Sequence, residues 1–120
     1  NYSDALFGRL NQQQPKELMW AEQFVKNNLQ DPLTVQRLCE IAHVSASKLN
    51  QLFKEAHAMS PMQYVKQCRL NQVHDVISQQ PHLNISDIAM SYGFNHMGHS
   101  TRDYKLLFNE TPKQTAKHKS

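Results

Sequence analysis

The sequence predicts an all-α protein of about seven helices. Three observations carry this. Apolar residues recur at helical spacing almost throughout the 120 residues, and no stretch alternates as a strand would. Helix starts and stops are marked by capping residues, prolines and a glycine. The second half of the chain also repeats the punctuation of the first.

Residues 1–14 are polar and Gln-rich and read as a lead-in or linker. From Pro15 to Leu29, the residues Leu18, Ala21, Phe24, Val25 and Leu29 line one face of a first helix, with proline suited to its first turn. Asp31-Pro32 then breaks the chain. Thr34 caps a short second helix, with Arg37 where a full capping box has Glu or Gln. Its apolar side is Val35, Leu38, Cys39 and Ala42. His43-Val44 makes a tight turn. Ser45 or Ser47 caps a third helix, about 45–57, expected to bury Leu49, Leu52, Phe53 and Ala56.

Ser60-Pro61 is a strong start signal, a cap followed by proline at the first helical position. The helix it opens runs to about Ser78, with a mostly apolar stripe of Val65, Cys68, Arg69, Val73, Val76 and Ile77. Pro81 closes it. Asn84 or Ser86 starts a fifth helix that buries Ile85, Ile88, Ala89 and Tyr92. Gly93 supplies the next turn, since glycine accepts positive φ without penalty. A sixth helix, about 96–108, buries Tyr104, Leu107 and Phe108, and Asn109 suits a left-handed cap. Thr111-Pro112 opens a short last helix ending in a basic tail of Lys113, Lys117 and Lys119.

The repeat is the most informative feature. Leu38-Cys39 answers Ile88-Ala89, and His43-Val44 answers Gly93-Phe94, at an offset of fifty residues. Phe53-Lys54 then answers Tyr104-Lys105, and Ser60-Pro61 answers Thr111-Pro112, at an offset of fifty-one. Each copy is a short helix, a tight turn, a second helix and a capped proline. Two steeply crossed helices need a small residue at the crossing (Cys39, Ala89), a turn residue tolerant of unusual φ (His43, Gly93) and an apolar plug after it (Val44, Phe94). One such pattern is weak evidence for a helix-turn-helix; two with matching punctuation are much stronger. The organisation expected is a lead-in over 1–14, a first helix-turn-helix subdomain with the long linker helix over 15–80, and a second helix-turn-helix subdomain over 81–120. The linker helix, roughly 27 Å at ~1.5 Å per residue, suits two readers in successive major grooves ~34 Å apart.

The formal charge is +3. Residues 1–33 carry three Lys/Arg against four Asp/Glu, whereas residues 34–120 carry ten against six. The positive charge lies with the repeat, as a phosphate-facing surface requires. Two cysteines on apolar stripes make no disulfide framework and predict buried thiols. No apolar run approaches a membrane span and no signal peptide is visible, so a cytoplasmic protein is expected. The start at Asn1 rather than Met predicts a piece of a longer protein.

The sequence resembles the AraC/XylS family of bacterial transcription regulators, in its C-terminal DNA-binding domain. The resemblance covers about residues 16–116. Its most specific stretch is Ile85-Ser86-Asp87-Ile88-Ala89, Tyr92-Gly93-Phe94, Arg102, Tyr104-Lys105, Phe108 and Thr111-Pro112. Ser60-Pro61, Tyr64 and Arg69-Leu70 match the family's linker helix. The family usually has glycine where Ala58 and Asn109 stand, an aromatic or leucine where Ser100 stands, and often alanine at Val73. The resemblance implies promoter DNA as partner, coupling to RNA polymerase, no enzymatic activity and no cofactor. It also implies an effector-sensing or dimerising domain outside this chain, while the chain itself, with two readers, can act as a monomer.

For the first reader, the outward face of the third helix is Ser47, Lys48, Asn50, Gln51 and Lys54, with Ser45 at its start. Asn and Gln pair bidentately with adenine, and Ser contacts several bases. Ser47, Asn50 and Gln51 are therefore the expected base readers. Lys48 and Lys54 suit phosphates, which position without reading sequence. For the second reader the exposed candidates are Asn95, His96, Met97, His99, Ser100, Thr101 and Arg102, with Lys105 one turn on. His96 and His99 sit three apart, but no Cys or carboxylate nearby completes a metal set. The competing readings are a protein-interaction module using the same helices and a small helical enzyme. No nucleophile–base pair or paired carboxylates support the latter.

Overall fold

A computed structural model describes residues 14–94 and 97–119, with the side chains of residues 97–100 and 119 outside the description. Its described residues form seven helices: α1 Lys16–Asn27, α2 Val35–Ala42, α3 Ala46–His57, α4 Pro61–Gln79, α5 Ile85–Ser91, α6 Met97–Phe108 and α7 Pro112–Lys119. No strand occurs among the described residues. The chain divides into two compact units. One runs to Asn28 and resumes over Leu33–Tyr64; the other comprises Leu29–Pro32 and the chain from Val65 onward.

In the first unit α1 packs against α2 and α3, and α2 against α3. Leu18, Ala21 and Val25 of α1 are buried, as are Leu38 and Ala42 of α2 and Leu49, Leu52 and Phe53 of α3. Truncating a residue such as Phe53, fully buried, costs about 3–5 kcal/mol by lost transfer energy and cavity formation. Pro15 precedes α1 with no side-chain cap, whereas α2 and α3 each have an amide satisfied by a capping hydroxyl. The Arg37 amide donates to the Thr34 hydroxyl at 3.1 Å, and the Lys48 amide to the Ser45 hydroxyl at 3.2 Å. Ser45, rather than Ser47, is thus the cap. Such caps contribute ~1 kcal/mol each.

Several expectations need correcting here. Leu29 lies in the turn beyond α1, and the Asn28 side-chain amide closes that helix by donating to the Phe24 carbonyl at 2.8 Å. Ala56, expected inside, is exposed; beyond Phe53 the packed face of α3 continues through His57, whose ring meets Phe53 and Tyr64. Cys39 and Cys68 are half-buried rather than buried. Lys113 and Lys117 stand on α7 itself, not on a tail after it.

The second unit gathers Leu70, Val73 and Ile77 of α4 with Ile88 of α5 and Tyr104 of α6, and Val76, Ile85, Tyr92, Phe94, Leu107 and Phe108 pack against them. Asn84, rather than Ser86, caps α5, accepting from the Asp87 amide at 3.2 Å. The Tyr104 hydroxyl bonds Thr115 at 2.8 Å, and the Thr115 hydroxyl donates to Glu110, which fastens α7 to α6. Arg69, expected on the apolar stripe, is half-buried with its charged end in use. Its guanidinium donates to the carbonyls of Leu29 at 3.0 Å and Asp31 at 2.8 Å. Burial lowers its pKa from the ordinary arginine value. Lys66 of α4 pairs with Asp103 of α6.

The duplication is visible in the backbone. His43 (φ 59°) and Gly93 (φ 88°) both end the first helix of a pair in a left-handed conformation. After them the Val44 amide donates to the Cys39 carbonyl at 3.2 Å, and the Phe94 amide to the Ala89 carbonyl at 3.0 Å. Ala58 (φ 58°) and Asn109 (φ 61°) then end α3 and α6 in the same way. The start of the next helix also matches. Ser60 and Gln63 exchange amide-to-side-chain bonds at 3.2 and 3.0 Å, and Thr111 and Gln114 do so at 3.2 and 2.8 Å. Both are complete capping boxes with glutamine in the third position.

Candidate nucleic-acid interface

The α3 surface follows from its sequence period. Leu49, Leu52 and Phe53 face inward and are at most 4% exposed. The intervening Ser47, Lys48, Asn50, Gln51 and Lys54 are all exposed and form one polar ridge. Ser45 is exposed as well; its oxygen accepts from the Lys48 amide, and its O–H stays available to donate. The two amides on the ridge are already oriented. Asn50 Nδ2 donates to the Ala46 carbonyl at 3.1 Å, one turn back. Gln51 Nε2 donates to Glu55 Oε1 at 3.1 Å, one turn forward. Glu55 was not among the residues singled out from the sequence. Its spacing of four from Gln51 was the available signal, since residues so spaced are neighbours on a helix surface.

On α6, Arg102 and Lys105 are exposed, while Tyr104 between them is fully buried. Thr101 was expected exposed and is half-buried. It shares a stripe with Tyr104 and Phe108, three and seven residues on, so it sits at the edge of the face that packs inward. Asn95 and His96 lie outside the described residues, as do the side chains of Met97, His99 and Ser100. Lys113 and Lys117 of α7 are also exposed.

What this surface can do chemically is hydrogen-bond and neutralise anions. Amides and a hydroxyl flanked by lysines suit base edges bordered by phosphates. Among the described residues, no three His, Cys, Asp or Glu side chains gather into a metal site. No helix of the described residues is long and apolar enough to cross a membrane.

Residues 38–118 match the family described as "Helix-turn-helix domain". The XylDLEGF operon transcriptional activator of Pseudomonas putida is 31% identical over 96 residues, which is 78% of this chain and 30% of that protein. The HTH-type transcriptional regulator ArgR of Pseudomonas aeruginosa is 30% identical over 109 residues, 91% of this chain and 32% of that protein. The chain thus spans about 30% of the length of each of these two relatives. Among solved structures, a probable AraC family transcriptional regulator from Rhodopseudomonas palustris superimposes with a TM-score of 0.80 at 27% identity, covering 87% of this chain and 97% of that one. A transcriptional regulator from Chromobacterium violaceum, of the AraC-type DNA-binding domain proteins, gives 0.81 at 26% identity, covering 88% and 93%. The matched helix-turn-helix pairs and these likenesses agree: the chain belongs to the AraC/XylS family of bacterial transcription regulators and is a helix-turn-helix DNA-binding domain of that family.

Proposed function

We propose that the chain binds duplex DNA sequence-specifically through two recognition helices, α3 (about 45–57) and α6 (about 96–108), set in successive major grooves. The observation that carries the reading is the ridge of α3, where every candidate contact is exposed while Leu49, Leu52 and Phe53 of the same helix are buried. In this reading Ser47, Asn50 and Gln51 meet base edges, and Ser45, Lys48 and Lys54 hold phosphates. On the second helix, Arg102 and Lys105 are exposed in support of the same role. Asn95, His96, Met97, His99, Ser100 and Thr101 are the remaining candidates of the second reader. The uninterrupted nineteen residues of α4, roughly 28 Å at ~1.5 Å per residue, give a rod of the right order for grooves ~34 Å apart.

The function of the whole protein extends this reading. A regulator of this family acts at a promoter in the cytoplasm, with RNA polymerase as the second partner and an effector-sensing or dimerising domain outside this chain. Relatives named as operon transcriptional activators support the polymerase assignment. The two readers let one copy of the chain occupy a site alone.

Binding to a duplex selected from a random pool, followed across salt concentration, tests the proposal. Neutralising several phosphates gives a log–log slope of about −0.9 per phosphate. A flat salt response, with no preference for the selected duplex over random sequence, contradicts it and favours a protein partner for the same helices.

A further inference from the structure

Gln51 and Glu55 stand one turn apart on the exposed ridge of α3, and the Gln51 amide nitrogen donates to the Glu55 carboxylate at 3.1 Å. A carboxylate oxygen in this position accepts, so the contact decides which end of the amide is which: nitrogen toward Glu55, Oε1 turned away. One N–H of Gln51 stays uncommitted beside Oε1. An acceptor next to a donor is the pattern complementary to the N6 amino group and N7 of adenine in the major groove. The last torsion of a glutamine side chain is otherwise broad and roughly two-fold. Released from its tether, the amide presents the inverted pattern about as readily as the matching one. Asn50 differs, because its nitrogen is held by the backbone carbonyl of Ala46, which no side-chain substitution alters.

We propose that Glu55 is a positioning residue for base readout, holding the Gln51 amide in the orientation that reads adenine before DNA arrives. This rests on the reading of Gln51 as a base contact proposed above. Glu55 itself touches neither base nor phosphate. Its carboxylate adds a negative charge to a ridge that otherwise attracts phosphates, a placement that general affinity alone does not favour. Water weakens the Gln51–Glu55 bond in the free protein; exclusion of water by a docked duplex strengthens it, so its effect appears as discrimination between bases.

The test uses a duplex selected from a random pool by the unaltered protein, together with its single-base variants, titrated by fluorescence anisotropy. All the substitutions are at exposed positions, so folding is retained. Gln51→Ala is expected to flatten discrimination at one base pair. Glu55→Ala is expected to reduce discrimination at that same base pair about three- to tenfold, the range of one hydrogen bond. Glu55→Gln, whose side-chain carbonyl accepts the same bond, restores most of it. In a Gln51→Ala background, Glu55→Ala has no further effect there. If Glu55→Ala and Glu55→Gln raise affinity equally for all duplexes, Glu55 acts only through its charge and the proposal is overturned. Relaxation at a different base pair makes Glu55 a direct contact and overturns it too. If Gln51→Ala relaxes one base pair and Glu55→Ala leaves that pair untouched, the positioning role alone fails. If Gln51→Ala relaxes none, the base-reading role of Gln51 fails with it.

Discussion

His43 and Gly93, fifty residues apart, hold the same left-handed backbone turn at φ 59° and 88°, each just before an apolar plug whose amide reaches back to the helix it follows. One copy achieves this with glycine. The other does it with a histidine whose ring meets the edge of Trp20, the centroids 5.9 Å apart. An aromatic contact of that kind contributes about 0.5–1.5 kcal/mol, enough to offset most of the cost of a β-carbon at positive φ.

Gly93→Ala has no such compensation. A β-carbon there lies 3.6 Å from the Arg69 guanidinium, an ordinary contact, so its cost is one of backbone conformation rather than space. Destabilisation of about 1–2 kcal/mol is expected. Urea unfolding should show a lower midpoint with an unchanged m-value.

Ala58 sits at φ 58° with only a methyl group to show for the strain. Ala58→Gly is expected to raise stability by about 1 kcal/mol, the left-handed penalty less the extra freedom glycine gives the unfolded chain. At Asn109, φ 61°, the gain from glycine should be smaller, because asparagine visits this region more readily. Thermal unfolding of the two variants side by side measures the difference.

The buried pair of Tyr104 and Thr115 gives a third expectation. Thr115→Val keeps the shape and strands the Tyr104 hydroxyl, at a cost of about 1–3 kcal/mol. Desolvation raises the Tyr104 pKa; the Thr115 bond lowers it and the Glu110 charge raises it, with a net upward shift. The folded state therefore keeps the phenolic proton more tightly than the unfolded chain. Stability from this source is intact below the unfolded value of about 10 and is lost as pH rises through the folded value. Denaturation midpoints at pH about 8 and about 11 should fall less steeply for Tyr104→Phe than for the unaltered protein.

Readers and anchors on α3 should separate by sequence dependence. Lys54→Ala is expected to weaken selected and random duplexes by one factor and to reduce the salt slope by about 0.9. Gln51→Ala should cost about 1–3 kcal/mol on the selected duplex alone. Anisotropy titrations of both variants on both duplexes, at several salt concentrations, measure this directly.

Much of this fold was legible in the chain because its signals are local. Caps at Thr34, Ser45 and Asn84 and the left-handed turns at His43, Gly93 and Asn109 depend on residues within a few positions of one another. The repeat then checked each signal against its copy. The completing glutamines of the capping boxes, Gln63 and Gln114, were equally readable from spacing. What periodicity cannot say is where a partner helix stops. Ala56 lies beside the packed face of α3, which continues through His57, and Thr101 falls at the margin of the packed face of α6. The Arg69 bond to the Leu29 carbonyl joins groups forty residues apart, with a backbone atom as one partner, and leaves no trace in side-chain spacing.

Selection of binding sites from random duplexes, repeated with Gln51→Ala and with Arg102→Ala, tests the two-reader claim most directly. A motif in two blocks with centres about one helical turn apart is expected, the first substitution erasing preference in one block only and the second in the other. A single uninterrupted block, indifferent to changes on α6, would contradict it.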